Sequence, residues 1–118
     1  MILCIDDDLK GLQVRQMVLE NAGYKVLTAG SGREALEHFS AHRISAVILD
    51  YAMPDMDGGQ VAAELRRLKP DVKILLLSAY VDLPQETFNL IDARVVKGTS
   101  PTSFLVTLKH LLSCASMA

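Results

Sequence analysis

Val47-Ile48-Leu49-Asp50 and Ile74-Leu75-Leu76-Leu77-Ser78 are unbroken apolar runs that each stop on a polar residue. Runs of this length, without the polar alternation of a half-exposed strand, suit strands covered on both faces in a parallel sheet. Working outward, strand-length apolar segments recur, so that the candidates are Ile2–Ile5, Lys25–Ala29, Ala46–Leu49, Lys73–Ser78 and Ala93–Val96. Helical patterns lie between them. Leu9–Asn21 carries Val14, Met17, Val18 and Ala22 on or just past one face, with Gln13, Gln16 and Glu20 opposite. Ser31–Ser40 opens on Ser31 and Glu34 with capping-box spacing. Gly59–Leu68 turns Val61, Leu65 and Leu68 inward and is stopped by Pro70. Pro84–Leu90 is a short, weaker helix, and Ser100-Pro101 opens a last helix running to about Ser113. Strands alternating with helices, joined by right-handed crossovers, predict an α/β fold: a doubly wound five-stranded parallel sheet.

Composition narrows the class. The 118 residues are 50% hydrophobic and 22% charged, which predicts one globular domain over 1–118 with a single core. A net charge of -2 gives no footprint for general nucleic-acid or membrane binding. No apolar run approaches the roughly 20 residues of a membrane span, and the start of the chain lacks the basic region and cleavage site of a signal peptide. Cys4 and Cys114 fit a reducing compartment, Cys4 as an inert thiol within a strand. The chain is expected to be cytoplasmic.

In a doubly wound sheet, ligands bind beyond the carboxyl ends of the strands, where strand order reverses. Those ends carry Asp6, Asp7 and Asp8, then Asp50, Ser78 and Lys97. A strand order of 2-1-3-4-5 would set all four ends side by side. Two carboxylates about 4 Å apart repel by about 4 kcal/mol at an effective dielectric near 20, so such a pocket calls for a cation. Clustered Asp oxygens favour a hard ion, Mg²⁺ with Mn²⁺ as its substitute, over zinc. Magnesium needs only one or two carboxylates beside a phosphate, which leaves a carboxylate free as a nucleophile toward phosphorus. Phosphoryl transfer demands positioning and charge neutralisation. Lys97 would be a point charge beside the phosphoryl group, and Ser78 a hydroxyl donor to one of its oxygens.

Four segments carry a resemblance: Ile2 through Asp8; Val47 through Asp50, Met53, Pro54 and Asp57 to Gly58; Leu77-Ser78-Ala79; and Val95-Val96-Lys97. Taken in order, with strand–helix spacing between them, they resemble the response-regulator receiver domain of two-component signalling. The resemblance implies a flavodoxin-like sheet of order 2-1-3-4-5. It makes Asp50 the phosphoacceptor. It has Asp7 and Asp50 bind Mg²⁺ directly, Asp6 largely through water, and the backbone carbonyl of Ala52 complete the protein ligands. Ser78 takes the role of switch hydroxyl, and Lys97 pairs with the phosphoryl group or, before transfer, with Asp50. Asp8 is left as a surface or capping residue, and Asp57-Gly58 as a turn.

The sequence departs from the family pattern at several places. Gly98 follows Lys97 where proline is usual, and Gly does not enforce the same backbone angles. Arg94 stands where an aromatic switch residue is common, open to an acidic partner or to solvent. The segment from Val81 to Asp92 is short, which predicts a shortened or irregular fourth helix. Ala52 and Tyr80 take positions that influence water attack on an acyl phosphate, and the bulk of Tyr80 is expected to shield it. The departures gather on the face that transmits the signal in this family. His38 and His42 have helical metal-pair spacing but no accompanying Glu, and read as surface. Asp50-Tyr51-Ala52 lacks the second acid of the Asp-x-Asp phosphatases.

The expected function is a phosphorylation-dependent switch. It takes its phosphoryl group from a sensor histidine kinase or phosphotransfer protein and acts on a downstream protein target, as a monomer or weak dimer, without contacting nucleic acid or membrane. It would promote its own phosphotransfer and dephosphorylation without being a turnover enzyme. The alternative is a phosphorylation-independent protein-interaction module on the same fold. A metal-dependent phosphatase is a weaker third reading.

Overall fold

A computed structural model describes residues 1–79, 82–97 and 102–117, with side chains placed through residue 113. The elements in chain order are β1 (Ile2–Ile5), α1 (Leu9–Asn21), β2 (Val26–Ala29), α2 (Gly32–Ala41), β3 (Ala46–Asp50), α3 (Gly58–Leu68), β4 (Lys73–Ser78), α4 (Gln85–Leu90), β5 (Ala93–Val96) and α5 (Ser103–Met117). The five strands form one parallel sheet in the order β2-β1-β3-β4-β5. This is the expected doubly wound, flavodoxin-like architecture. The chain leaves β1 toward β2 and then returns past β1 to β3, so order reverses between the ends of β1 and β3.

Alternation along the buried strands sorts the core into two layers. Leu3, Ile5, Val47, Leu49, Ile74 and Leu76 meet Ala35 and Phe39 of α2 and Val61, Ala62 and Leu65 of α3. Ile2, Cys4, Ala46, Ile48, Leu75 and Leu77 meet Leu12 and Leu19 of α1 and Phe104, Leu108 and Leu111 of α5. Side chains on successive strand residues point to opposite faces, so one continuous apolar run feeds both layers. Burial pushes the free Cys4 thiol up to about 12.

Two helix faces differ from expectation. On α1 the buried residues are Leu12 and Leu19, whereas Val14 and Met17 are exposed. The inner stripe runs Leu12–Arg15–Leu19, with Arg15 accommodated because its guanidinium meets an acid inside. On α3, Leu68 is also exposed, at the last turn. The helix starts are capped by side chains. Asp8 accepts from the Lys10 N–H and so caps α1. The Ser31 hydroxyl accepts from the Glu34 N–H, while the Glu34 carboxylate reaches back to the Gly30 N–H, one residue beyond the standard box. Asp57 and Gln60 form a complete capping box on α3. The expected start of the last helix at Ser100-Pro101 lies outside the described residues; the helix itself continues past Ser113 to Met117.

The fourth helix is short, six residues, with no side-chain cap. It is held by Arg66 of α3, whose guanidinium donates to the carbonyls of Leu90, Pro70 and Val72 and to the Asp92 carboxylate. Asp92 Oδ2 also accepts from the Ile74 N–H at 2.8 Å, which ties the approach to β5 onto β4. No helix among the described residues is long and apolar enough to cross a membrane.

Candidate functional site

The ends of β1 and β3 bring three carboxylates together. Asp6 and Asp50 are buried, Asp7 is exposed, and one oxygen from each lies within 4.8 Å of the others. The register explains the encounter: Ile5 pairs with Leu49, so Asp6 and Asp50 leave adjacent strands at the same height. Next to them, Asp50 pairs with Leu77 of β4, and Ser78 is the buried last residue of that strand. The Lys97 N–H donates to the Ser78 carbonyl at 2.9 Å and so extends β5 to the same level. Its ammonium lies 2.7 Å from Asp50 Oδ1 and 3.6 Å from Asp6 Oδ2.

The loop after β3 folds back tightly. The Tyr51 N–H donates to the Leu77 carbonyl at 3.1 Å, and the Gly58 N–H to the Tyr51 carbonyl at 2.7 Å. A Cβ on Gly58 would stand 2.8 Å from Tyr51 Cα and 3.1 Å from the Asp50 carbonyl, so the return requires glycine. Within the loop, Ala52 is exposed two residues beyond Asp50, and Asp55 accepts from the Gly32 and Arg33 N–H groups at the start of α2. Those two amide bonds, Arg33 first, hold the Asp55 carboxyl below its ordinary range.

Burial dominates the two inner acids, with opposite results. For Asp50 burial raises the pKa, and the adjacent Asp6 charge adds to it against the opposing Lys97. For Asp6 burial also acts upward, but the Asp8 N–H, Arg15 and Lys97 outweigh it and hold the carboxyl below its ordinary value. Asp6 Oδ1 accepts from the Asp8 N–H at 2.9 Å, and Oδ2 is met by the Arg15 guanidinium. The acid cluster is all-oxygen, compact and only partly balanced by the cations beside it. A hard divalent ion fits that donor set.

Arg15 is the site residue that sequence reasoning missed. A charged residue between Leu12 and Leu19 on one helical stripe was the available signal. His38 and His42 face each other at 6.1 Å between ring centroids, and His38 lies 3.5 Å from Glu34 on the same helix. A groove lined by Phe39, His42, Arg43, Ile44, Leu68 and Lys69 lies toward the strand starts, away from the acids. On the fourth-helix face, the exposed Arg94 guanidinium stacks 5.3 Å above the Phe88 ring. Tyr80 and Gly98 lie outside the described residues.

Comparison with known proteins gives a consistent result. The profile of the response regulator receiver domain matches residues 2–97. A probable transcriptional regulator ycf27 from Cyanophora paradoxa is 35% identical over 114 residues, covering 94% of this chain and 47% of its own length. The transcriptional regulatory protein GlrR of Escherichia coli K12 is 35% identical over 83 residues, covering 70% of this chain and 19% of its own. The chain thus spans half or less of the length of these curated relatives. Among solved structures, the response regulator TrrA of Thermotoga maritima, in complex with Mg²⁺ and BeF, has a TM-score of 0.86 at 35% identity, covering 93% of this chain and 96% of its own. A CheY-like receiver domain protein of Methanospirillum hungatei has a TM-score of 0.92 at 26% identity, covering 99% and 97% respectively.

Proposed function

We propose, on the premise that this chain belongs to the response regulator receiver domain family, that it works as a phosphorylation switch with Asp50 as the acceptor. The observation that supports this most directly is the pairing of buried Asp50 with Lys97 beside two further acids. A carboxylate that is buried yet held beside an ammonium remains available as a nucleophile while water is largely excluded from it. In the proposed step, an Asp50 oxygen attacks the phosphorus of a phosphohistidine on a sensor histidine kinase or phosphotransfer protein. A P–O bond forms, the P–N bond breaks, and the imidazole leaves. Asp7, Asp50 and the Ala52 carbonyl would hold Mg²⁺ directly and Asp6 through water; Mn²⁺ would substitute. When bound, the ion supplies charge neutralisation at the phosphoryl oxygens. Lys97 then faces the new phosphoryl group from the opposite side, and the Ser78 hydroxyl donates to one of its oxygens. The added charge shifts a two-state equilibrium read by a downstream protein. Residues 1–118 act in this reading as one receiver domain in the cytoplasm, a monomer or weak dimer, without touching nucleic acid or membrane through this stretch.

The test is labelling by a small-molecule acyl phosphate with Mg²⁺, followed by intact mass. Wild type gains one phosphoryl group, Asp50→Asn gains none, and chelation abolishes the gain. Equal labelling of wild type and Asp50→Asn rejects the assignment. A second reading, a phosphorylation-independent interaction module, draws support from the six-residue α4 and from the stacking of Arg94 on Phe88. It predicts that captured partners bind equally to the unmodified and fluoroberyllate-treated protein.

A further inference from the structure

Arg15 stands out on three grounds. It lies on the inward stripe of α1 with only 13% of its side chain exposed. It meets Asp6 Oδ2, the oxygen that Lys97 also approaches at 3.6 Å, while Oδ1 is taken by the Asp8 N–H. And it packs over glycine: a Cβ on Gly11 would stand 3.4 and 3.5 Å from the two terminal guanidinium nitrogens, in ordinary contact, and 3.1 Å from Asp8 Oδ2. Gly11 lies in the first turn of α1, so a larger, branched side chain there would press on the guanidinium.

Resting on the reading of the acid cluster as a metal-assisted phosphoacceptor site, we propose that Arg15 is a built-in counter-cation of that site. It weakens divalent-metal binding to the unphosphorylated pocket and strengthens retention of the phosphoryl group. Asp6, Asp7 and Asp50 bring three negative charges. Lys97 returns one positive charge and Arg15 a second, one more than the acceptor chemistry itself requires. Arg15 repels an incoming dication and occupies the carboxylate that would order its water. The same positive charge attracts the extra negative charge that appears when Asp50 carries a phosphoryl group. The two effects have opposite signs, and a neutral side chain in its place would produce neither.

The experiment titrates Mg²⁺ calorimetrically into wild type, Arg15→Gln and Gly11→Leu, and then titrates fluoroberyllate at saturating Mg²⁺. Gly11→Leu keeps the charge but crowds it out of its place, and it remains informative if Arg15→Gln folds poorly. The expected result is Mg²⁺ affinity about tenfold tighter in Arg15→Gln, which corresponds to about 1.4 kcal/mol. Fluoroberyllate affinity should be several-fold weaker, and Gly11→Leu should shift both quantities in the same directions by less. Mg²⁺ affinity unchanged in both variants overturns the proposal, as does a fluoroberyllate shift of the same sign as the Mg²⁺ shift. Failure of all three proteins to bind Mg²⁺ at millimolar concentration overturns the metal-site reading itself, and so is told apart from failure of the role of Arg15.

Discussion

Lys97 Nζ stands 2.7 Å from Asp50 Oδ1, the first residue after β5 against the last residue of β3. Asp50 is buried, whereas the Lys97 side chain is 32% exposed. Removing one partner of a fully buried pair costs roughly 3–5 kcal/mol, and solvent at Lys97 reduces that to about 1–3 kcal/mol. Lys97→Met should therefore lower stability by this amount at pH 7 and by much less where Asp50 is protonated. Urea denaturation at neutral and acid pH checks it; an equal loss at both counts against the pairing.

Asp50→Asn should behave in the opposite way. Burial, with Asp6 beside it, raises the Asp50 pKa above 3.8 despite Lys97. The folded state then holds its proton longer than the unfolded state does. Stability from this group is accordingly lost as pH rises from 3.8 through the folded value. Asp6, with its lowered pKa, contributes in the reverse sense: its stabilisation is present above 3.8 and fades as pH falls through the folded value. The Asn variant, free of the Asp50 penalty, should melt a few degrees higher at pH 7, at roughly 4 °C per kcal/mol, with the gain vanishing below about pH 3.5. Thermal melts across that range measure it.

Arg66→Ala removes donors from three carbonyls and from Asp92 at once. A loss of about 2 kcal/mol is expected, since partly buried acceptors are left unmatched. The effect should be local: amide exchange ought to accelerate in α4 and at Ile74 before it does in β1 or β3. Uniform acceleration would show that Arg66 does not hold this face in particular.

Gly58→Ala tests the tight return of the loop. Its Cβ would meet backbone atoms, which cannot step aside as a flexible side chain can. Destabilisation of about 1–3 kcal/mol is expected, together with slower labelling of Asp50 by an acyl phosphate. Gly59→Ala is the useful comparison, because its Cβ would meet the Thr87 hydroxyl at 2.7 Å rather than the loop backbone. It should disturb the contact with α4 and leave labelling closer to wild type.

The acids and Lys97 were legible because each ends a strand, and strand ends can be located from apolar runs alone. Val47-Ile48-Leu49 points at Asp50 whatever else the chain contains. The short fourth helix was equally visible, as too few residues between two strands. The inner face of α1 was not. Periodicity assigns charged residues to solvent, so Arg15 pushed the reading toward Val14 and Met17, while the structure buries Leu12 and Leu19. Its partner Asp6 lies nine residues away on another element, a relationship that no helical repeat encodes. Asp57 reads as a turn and proves to be a cap, because its carboxylate accepts from the backbone N–H of Gln60.

The order in which the charges appear along the chain carries a final consequence. During synthesis Asp6 emerges first and Arg15 soon after, so that acid has its cation almost at once. Asp50 emerges with no such neighbour, and its ammonium arrives only with the residue that follows β5. A nascent chain halted before that strand would have to bury a bare carboxylate or leave the centre of its sheet unclosed. Docking of the edge strand and neutralisation of the central acid are thus a single event, and a truncated product should betray itself by staying soft in the middle rather than at its cut end.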